Sequence, residues 1–123
     1  MMSVAVWFEL PTADLERAET FYRAVLGHPL RRETCPDSGL QMSVFDPPGV
    51  ELKGALVKGE QFTPGGNGTL VYLDGGADLA GPLGRVEAAG GQVLMPKTPI
   101  GPHGFIALFM DSEGNRVGLH SMT

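Results

Sequence analysis

The stretch Thr12–Gly27, TADLERAETFYRAVLG, decides how the rest of this 123-residue chain is read. Thr12 is an expected N-cap, Asp14 and Glu16 suit a first helical turn, and Leu15, Ala18, Phe21, Tyr22, Val25 and Leu26 recur at helical spacing. Gly27 closes the run, because glycine readily takes the left-handed conformation in which many helices end. Upstream, SVAVWFEL changes the period to two. It reads as a strand with Trp7 and Glu9 on one face and Val6, Phe8 and Leu10 on the other. Downstream, strands are predicted at about 29–34, 40–45 and 50–58, separated by the turn sequences PDSG and DPPG.

The order strand, helix, strand, strand, strand then begins again. KGEQFTPGGNG reads as a polar, glycine-rich connection, with the linker itself at about 59–67. GTLVYLD follows as a strand, ADLAGPLGRVEAAGG as a weaker helix interrupted by Pro82, and QVLMPK, GFIALFMD and NRVGLHS as three more strands. Asp14 against Asp78, Gly27 against Gly90, and Asp46 of DPPG against Asp111 of DSEG lie at offsets of 64, 63 and 65 residues, which points to duplication. The expectation is an α+β fold: two βαβββ modules, about 1–58 and 68–123, forming one domain over 1–123. Each half alone buries too little apolar surface to offset its ordering entropy, so the two must pack together. A cleft between curved sheets is then the expected ligand site.

Composition narrows the function classes. A chain that is 42% hydrophobic and 19% charged is ordinary for a globular domain with a real core. Its formal charge of -5, with 14 acidic against 9 basic residues and no basic cluster, lacks the footprint of a nucleic-acid binder. No apolar run approaches the roughly 18 residues of a membrane span, and no basic segment precedes the short apolar start, so a cytoplasmic protein is expected. The single cysteine, Cys35, allows no internal disulfide and has no neighbouring histidine to activate it. GGNG and AAGGQ lack phosphate-loop context, and no Gly-x-Ser-x-Gly elbow is present.

With the paired βαβββ order, DLERAETFYRAVLG after the first strand, and GFIALFMDSEGNRVGLHS at the end, the chain resembles the vicinal oxygen chelate superfamily: glyoxalase I, bleomycin-resistance proteins and extradiol dioxygenases. That resemblance implies a cupped, eight-stranded mixed sheet with helices outside, and in many members a divalent metal held by His, Gln or Glu on the first and last strand of each module. Such a metal acts as a Lewis acid on a substrate with adjacent oxygens. Members commonly dimerise, which makes a homodimer the expectation here.

The implied metal positions carry the wrong residues. The first-strand position, seven before Asp14, falls at Trp7, and its second-module counterpart, six before Asp74, at Gly68. The end-of-module positions, seven after Asp46 and Asp111, fall at Lys53 (or its neighbour Gly54) and Gly118. Indole, ammonium and two glycines make no coordination set. No metal or other cofactor is therefore expected, with a divalent ion kept as the alternative.

Other groups remain as candidates. Glu9 shares a face with Trp7 and is the candidate base or hydrogen-bond partner, against the plainer role of a rim carboxylate. His120 shares a face with Gly118 and Arg116, and His103 lies on the loop PIGPHGF, a plausible flap. Glu9, His103 and His120 have the residue types of a displaced metal triad. His28 follows the helix end and suits its dipole. Trp7, Tyr72, Phe45, Phe105 and Phe109 offer a stacking wall, with Met42 and Met110 to adapt to a ligand; about half such residues are ordinary core. The expected ligand-binding set is Trp7, Glu9, Tyr72, His103, Phe109 and His120. The favoured function is binding of a small, flat or aromatic organic molecule without the metal. The alternatives are a lyase, isomerase or dioxygenase working through a metal or Glu9 and the histidines, and, more weakly, a regulatory interaction module.

Overall fold

The computed structural model describes residues 4–34, 39–51 and 53–123, so Cys35 and its reading lie outside the described residues. Both modules have the expected order. The first contains β1 (Trp7–Pro11), α1 (Leu15–Leu26), β2 (Leu30–Thr34), β3 (Gln41–Phe45) and β4 (Lys53–Lys58). The second contains β5 (Tyr72–Asp74), α2 (Ala80–Leu83), β6 (Gln92–Pro99), β7 (Phe105–Met110) and β8 (Arg116–Ser121), with one 3-10 turn, Gly101–His103, before β7. The strands form two separate four-stranded sheets, ordered β1-β4-β3-β2 and β5-β8-β7-β6. In each, the module's first and last strands pair in parallel.

Helix α1 is the centre of the molecule. Asp14, not Thr12, is its N-cap: Asp14 is extended (φ -134, ψ 102) and its side chain accepts from the Arg17 amide. Thr12 is instead buried, its hydroxyl donating to the Val57 carbonyl at 3.1 Å. At the other end Gly27, at φ 72, returns its N–H to the Arg23 carbonyl. The helix sends Phe21, Tyr22 and Val25 into a core shared with both sheets, where all three are fully buried. Each such side chain contributes on the order of 2 kcal/mol. Tyr22 packs edge-on against Phe45 of the first sheet, and Phe21 lies 6.0 Å from Phe109 of the second.

Module two also holds both ends of this helix. Glu113 accepts from the Ala13 and Asp14 amides, each at 2.9 Å, and from the Arg17 guanidinium. Arg85 donates to the Val25 carbonyl at 2.9 Å. An anion thus sits at the positive end of the helix and a cation at the negative end. By contrast α2 is only four residues, because Gly81, Pro82 and Gly84 break its propagation and the chain continues in turns.

Both sheets therefore turn their helix-bearing side to one common core. Leu10, Phe45 and Leu56 enter it from the first sheet, and Leu73, Ala107, Phe109, Val117 and Leu119 from the second. The opposite faces point outward, so the cleft expected between the sheets, with the helices outside, is not assembled within one chain.

Candidate functional site

The outer face of the first sheet carries Trp7 and Glu9 from β1, beside Lys53 and Ala55 of β4. Trp7 is 44% exposed, and its indole N–H donates to Glu9 Oε2 at 3.2 Å. Further along the same face lies an apolar floor of Val44, Ala55 and Val57, with Met42, Leu40 and Phe62 packed on it. Phe62, from the connection after β4, was hidden from sequence reasoning in a polar stretch; the lone aromatic in KGEQFTPGG was the available signal. A concavity of about 850 Å³ opens beside it, lined by Thr12, Leu40, Gln41, Lys58 and Phe62 among others.

The outer face of the second sheet carries Tyr72 and Asp74 from β5, paired with Gly118 and His120 of β8. Tyr72 is 42% exposed and lines a concavity of about 730 Å³ with Asp74 and His120. His120 donates from Nε2 to the His103 carbonyl at 2.6 Å, which ties the 3-10 turn to β8 while the His103 residue itself stays exposed. Met110 faces outward with Arg116, its pairing partner.

Several expectations need correction. Phe109 is fully buried against Phe21 and Tyr22 on the helix side, since it pairs with Val117 and not with a residue of the outer face. Phe45 and Phe105 likewise belong to the shared core. Glu9 lies on one sheet and His120 on the other, so the displaced triad with His103 is not brought together within a chain. His28 lines a smaller cavity of about 200 Å³ at the junction of the modules, with Phe8, Leu26, Phe45 and Leu73.

The positions implied for a metal do not fit one. Trp7 and Lys53 are register partners, as adjacent ligands would be, but the Lys53 ammonium pairs with Asp46. Gly54 lies on the other face, beneath the Phe8 ring. Gly68 precedes β5 at φ 102 and offers no side chain. At Gly118 an added Cβ would lie 2.3 Å from Tyr72 Cδ1, so the tyrosine ring occupies the space of the missing ligand. Among the described residues no three His, Cys, Asp or Glu side chains cluster in a way that could hold a metal ion. No described helix is long and apolar enough to cross a membrane.

The electrostatic strain of the molecule lies elsewhere, in the turn between β7 and β8. Asp111 accepts from Tyr22 Oη at 2.7 Å and from the Glu113 and Asn115 amides. Burial raises its carboxyl above the usual range, against the pull of those bonds, and burial also raises the Tyr22 hydroxyl. Glu113 goes the other way: burial alone would raise it, but the Arg17 guanidinium and the two helix amides hold it low. Glu19, bonded by Arg32 and Ser43, is also lowered. These groups join modules and elements, and none lines an outer face.

Residues 5–36 match the family model described as bleomycin resistance protein-like N-terminal. No curated protein matches the chain significantly in sequence. Among solved structures, TnmS3, an antibiotic-binding protein from Streptomyces sp. CB03234, superposes at a TM-score of 0.71 with 27% identity, covering 99% of this chain and 98% of that one. A glyoxalase/bleomycin resistance protein of the same organism gives 0.69 at 28% identity, over 94% and 97%. A maize (Zea mays) glyoxalase I mutant gives 0.72 at 25% identity, over 94% of this chain but 45% of the longer enzyme, so the present chain spans about half its length. From its duplicated βαβββ fold, its N-terminal family match and these structural likenesses, the chain belongs to the vicinal oxygen chelate superfamily.

Proposed function

We propose that this protein binds a small, flat or aromatic organic molecule on the outer faces of its sheets, without the metal set of its metal-dependent relatives, as a cytoplasmic homodimer. The carrying observation is the exchange of chemistry at the implied metal positions. Trp7 and Lys53 stand where ligands would, and the Tyr72 ring covers Gly118, so exposed aromatic surface replaces donor atoms. Such surface recognises flat ligands by stacking and apolar burial. The likeness to an antibiotic-binding protein over nearly the whole of both chains supports the same reading.

The dimer is part of the proposal because each outer face carries only half of the aromatic lining. A second copy, laying its β5–β8 face over the β1–β4 face of the first, encloses Trp7, Glu9, Tyr72 and His120 in one cleft. The test uses the sole tryptophan, Trp7, as the reporter. Titration with flat aromatic metabolites and antibiotics is expected to change its fluorescence and raise Tm, and light scattering to give twice the chain mass. Stoichiometric, stabilising uptake of zinc, nickel, manganese or ferrous iron would overturn the metal-free reading in favour of a lyase, isomerase or dioxygenase.

A further inference from the structure

Resting on that reading, we infer that the ligand carries a protonated nitrogen, because each outer face presents the same recognition element, an exposed aromatic ring followed two residues later by a carboxylate with no ion-pair partner among the described residues. In β1 the element is Trp7 with Glu9; in β5 it is Tyr72 with Asp74. Residues two apart on a strand project from the same face, so each ring and its carboxylate present together.

Neither acid is neutralised from within the described residues. Glu9 accepts from the Trp7 indole, and Asp74 from the Gly76 amide at 2.8 Å. No lysine, arginine or histidine forms an ion pair with either among the described residues, where seven ion pairs engage five other acids, Glu19, Glu33, Asp46, Asp78 and Glu113. The bases nearest in register are already engaged: Lys53, beside Trp7, with Asp46, and His120, beside Asp74, with the His103 carbonyl. The basic side chains of Arg116, two residues before Gly118 on the Tyr72 face, and Lys58, at the concavity beside Phe62, have no ion-pair partner among the described residues.

An aromatic face attracts a cation through its quadrupole, and a neighbouring carboxylate adds direct attraction and a hydrogen-bond acceptor. The pair accordingly suits an ammonium, amidinium or protonated ring nitrogen on a flat skeleton. The acidic balance of the chain, -5, favours the same charge at longer range.

Three tricyclic probes of similar shape separate charge from stacking: 9-aminoacridine as the cation, acridone as the neutral compound, and acridine-9-carboxylate as the anion. Calorimetric titration of the full chain at low salt is expected to rank them in that order, with the cation at least about tenfold tighter than the anion. Glu9→Gln with Asp74→Asn is expected to remove most of that preference while acridone binding stays. Glu87→Gln, which removes an exposed charge remote from both faces, is expected to leave the ranking intact. Equal affinity for all three, tighter binding of the anion, or a cation preference that survives Glu9→Gln with Asp74→Asn would overturn the inference while leaving the aromatic-binding proposal standing. Failure of all three to bind would overturn both.

Discussion

Tyr22, on the helix of module one, donates a 2.7 Å hydrogen bond to Asp111, on the closing turn of module two, and both residues are buried. The bond favours the ionised carboxylate, which burial disfavours. Tyr22→Phe therefore leaves a buried carboxylate short of a donor, at a cost of about 2 kcal/mol near neutral pH. The sign of the pH dependence follows. Because the Asp111 pKa is raised on folding, its ionisation opposes folding above that pKa, and the penalty fades as acid protonates the group. The gap between wild type and Tyr22→Phe should be full near pH 7 and shrink as pH falls through the raised value. Urea unfolding across that range measures it, and a gap that widens in acid would contradict this account.

Glu113 has the opposite linkage. Its folded pKa is lowered, so it stabilises the protein above its unfolded value, and that contribution is lost as pH falls through the lowered one. Glu113→Gln should cost about 1 kcal/mol, the usual worth of a helix cap, and flatten the acid limb of the stability profile. Denaturant titration of wild type and variant side by side checks both parts.

The roles of these two acids explain what the sequence could and could not disclose. Helix α1 and the strands were legible because amphipathic period and turn chemistry are local, and the repeat at nearly constant offset announced the second module. The faces of β7 were not: Ile106, Leu108 and Met110 are as apolar as Ala107 and Phe109, so alternation cannot say which set is buried. Phe109 was misplaced for that reason. Trp7 and Glu9 were paired correctly because they flank one apolar residue, Phe8, on a strand whose faces differ. The outward turn of both sheets depends on α1 packing against each of them, a long-range choice that no short motif records.

The two buried glycines of the parallel strand pairs should respond differently to alanine. At Gly54 the new Cβ would lie 2.2 Å from the Phe8 ring, which packs on the shared core, so overpacking should cost about 1–3 kcal/mol. At Gly118 the clash is with Tyr72, whose exposed ring can swing toward solvent. Gly118→Ala should thus change Tm little but weaken aromatic ligand binding several-fold. Equal losses of stability at both sites would show that the Tyr72 ring is held as firmly as Phe8.

Rebuilding the implied metal positions tests how the cleft is completed. Trp7→His with Lys53→Glu places two ligands side by side on the first sheet, because these residues are register partners. A third ligand, Gly118→Glu, requires Tyr72→Ala to clear the ring and lies on the second sheet, whose outer face points away. Two ligands hold zinc weakly, whereas three approach the donor set of a catalytic site. Neither double variant alone should therefore take up zinc tightly. If dimerisation lays one copy's second sheet over another's first, mixing the two double variants should create a three-ligand site with higher zinc affinity than either parent, detectable by competition with a chelating dye. The quadruple variant should bind zinc only above the concentration at which light scattering shows the dimer. Tight uptake by a monomeric quadruple variant would place the ligands within one chain and refute the proposed exchange of faces.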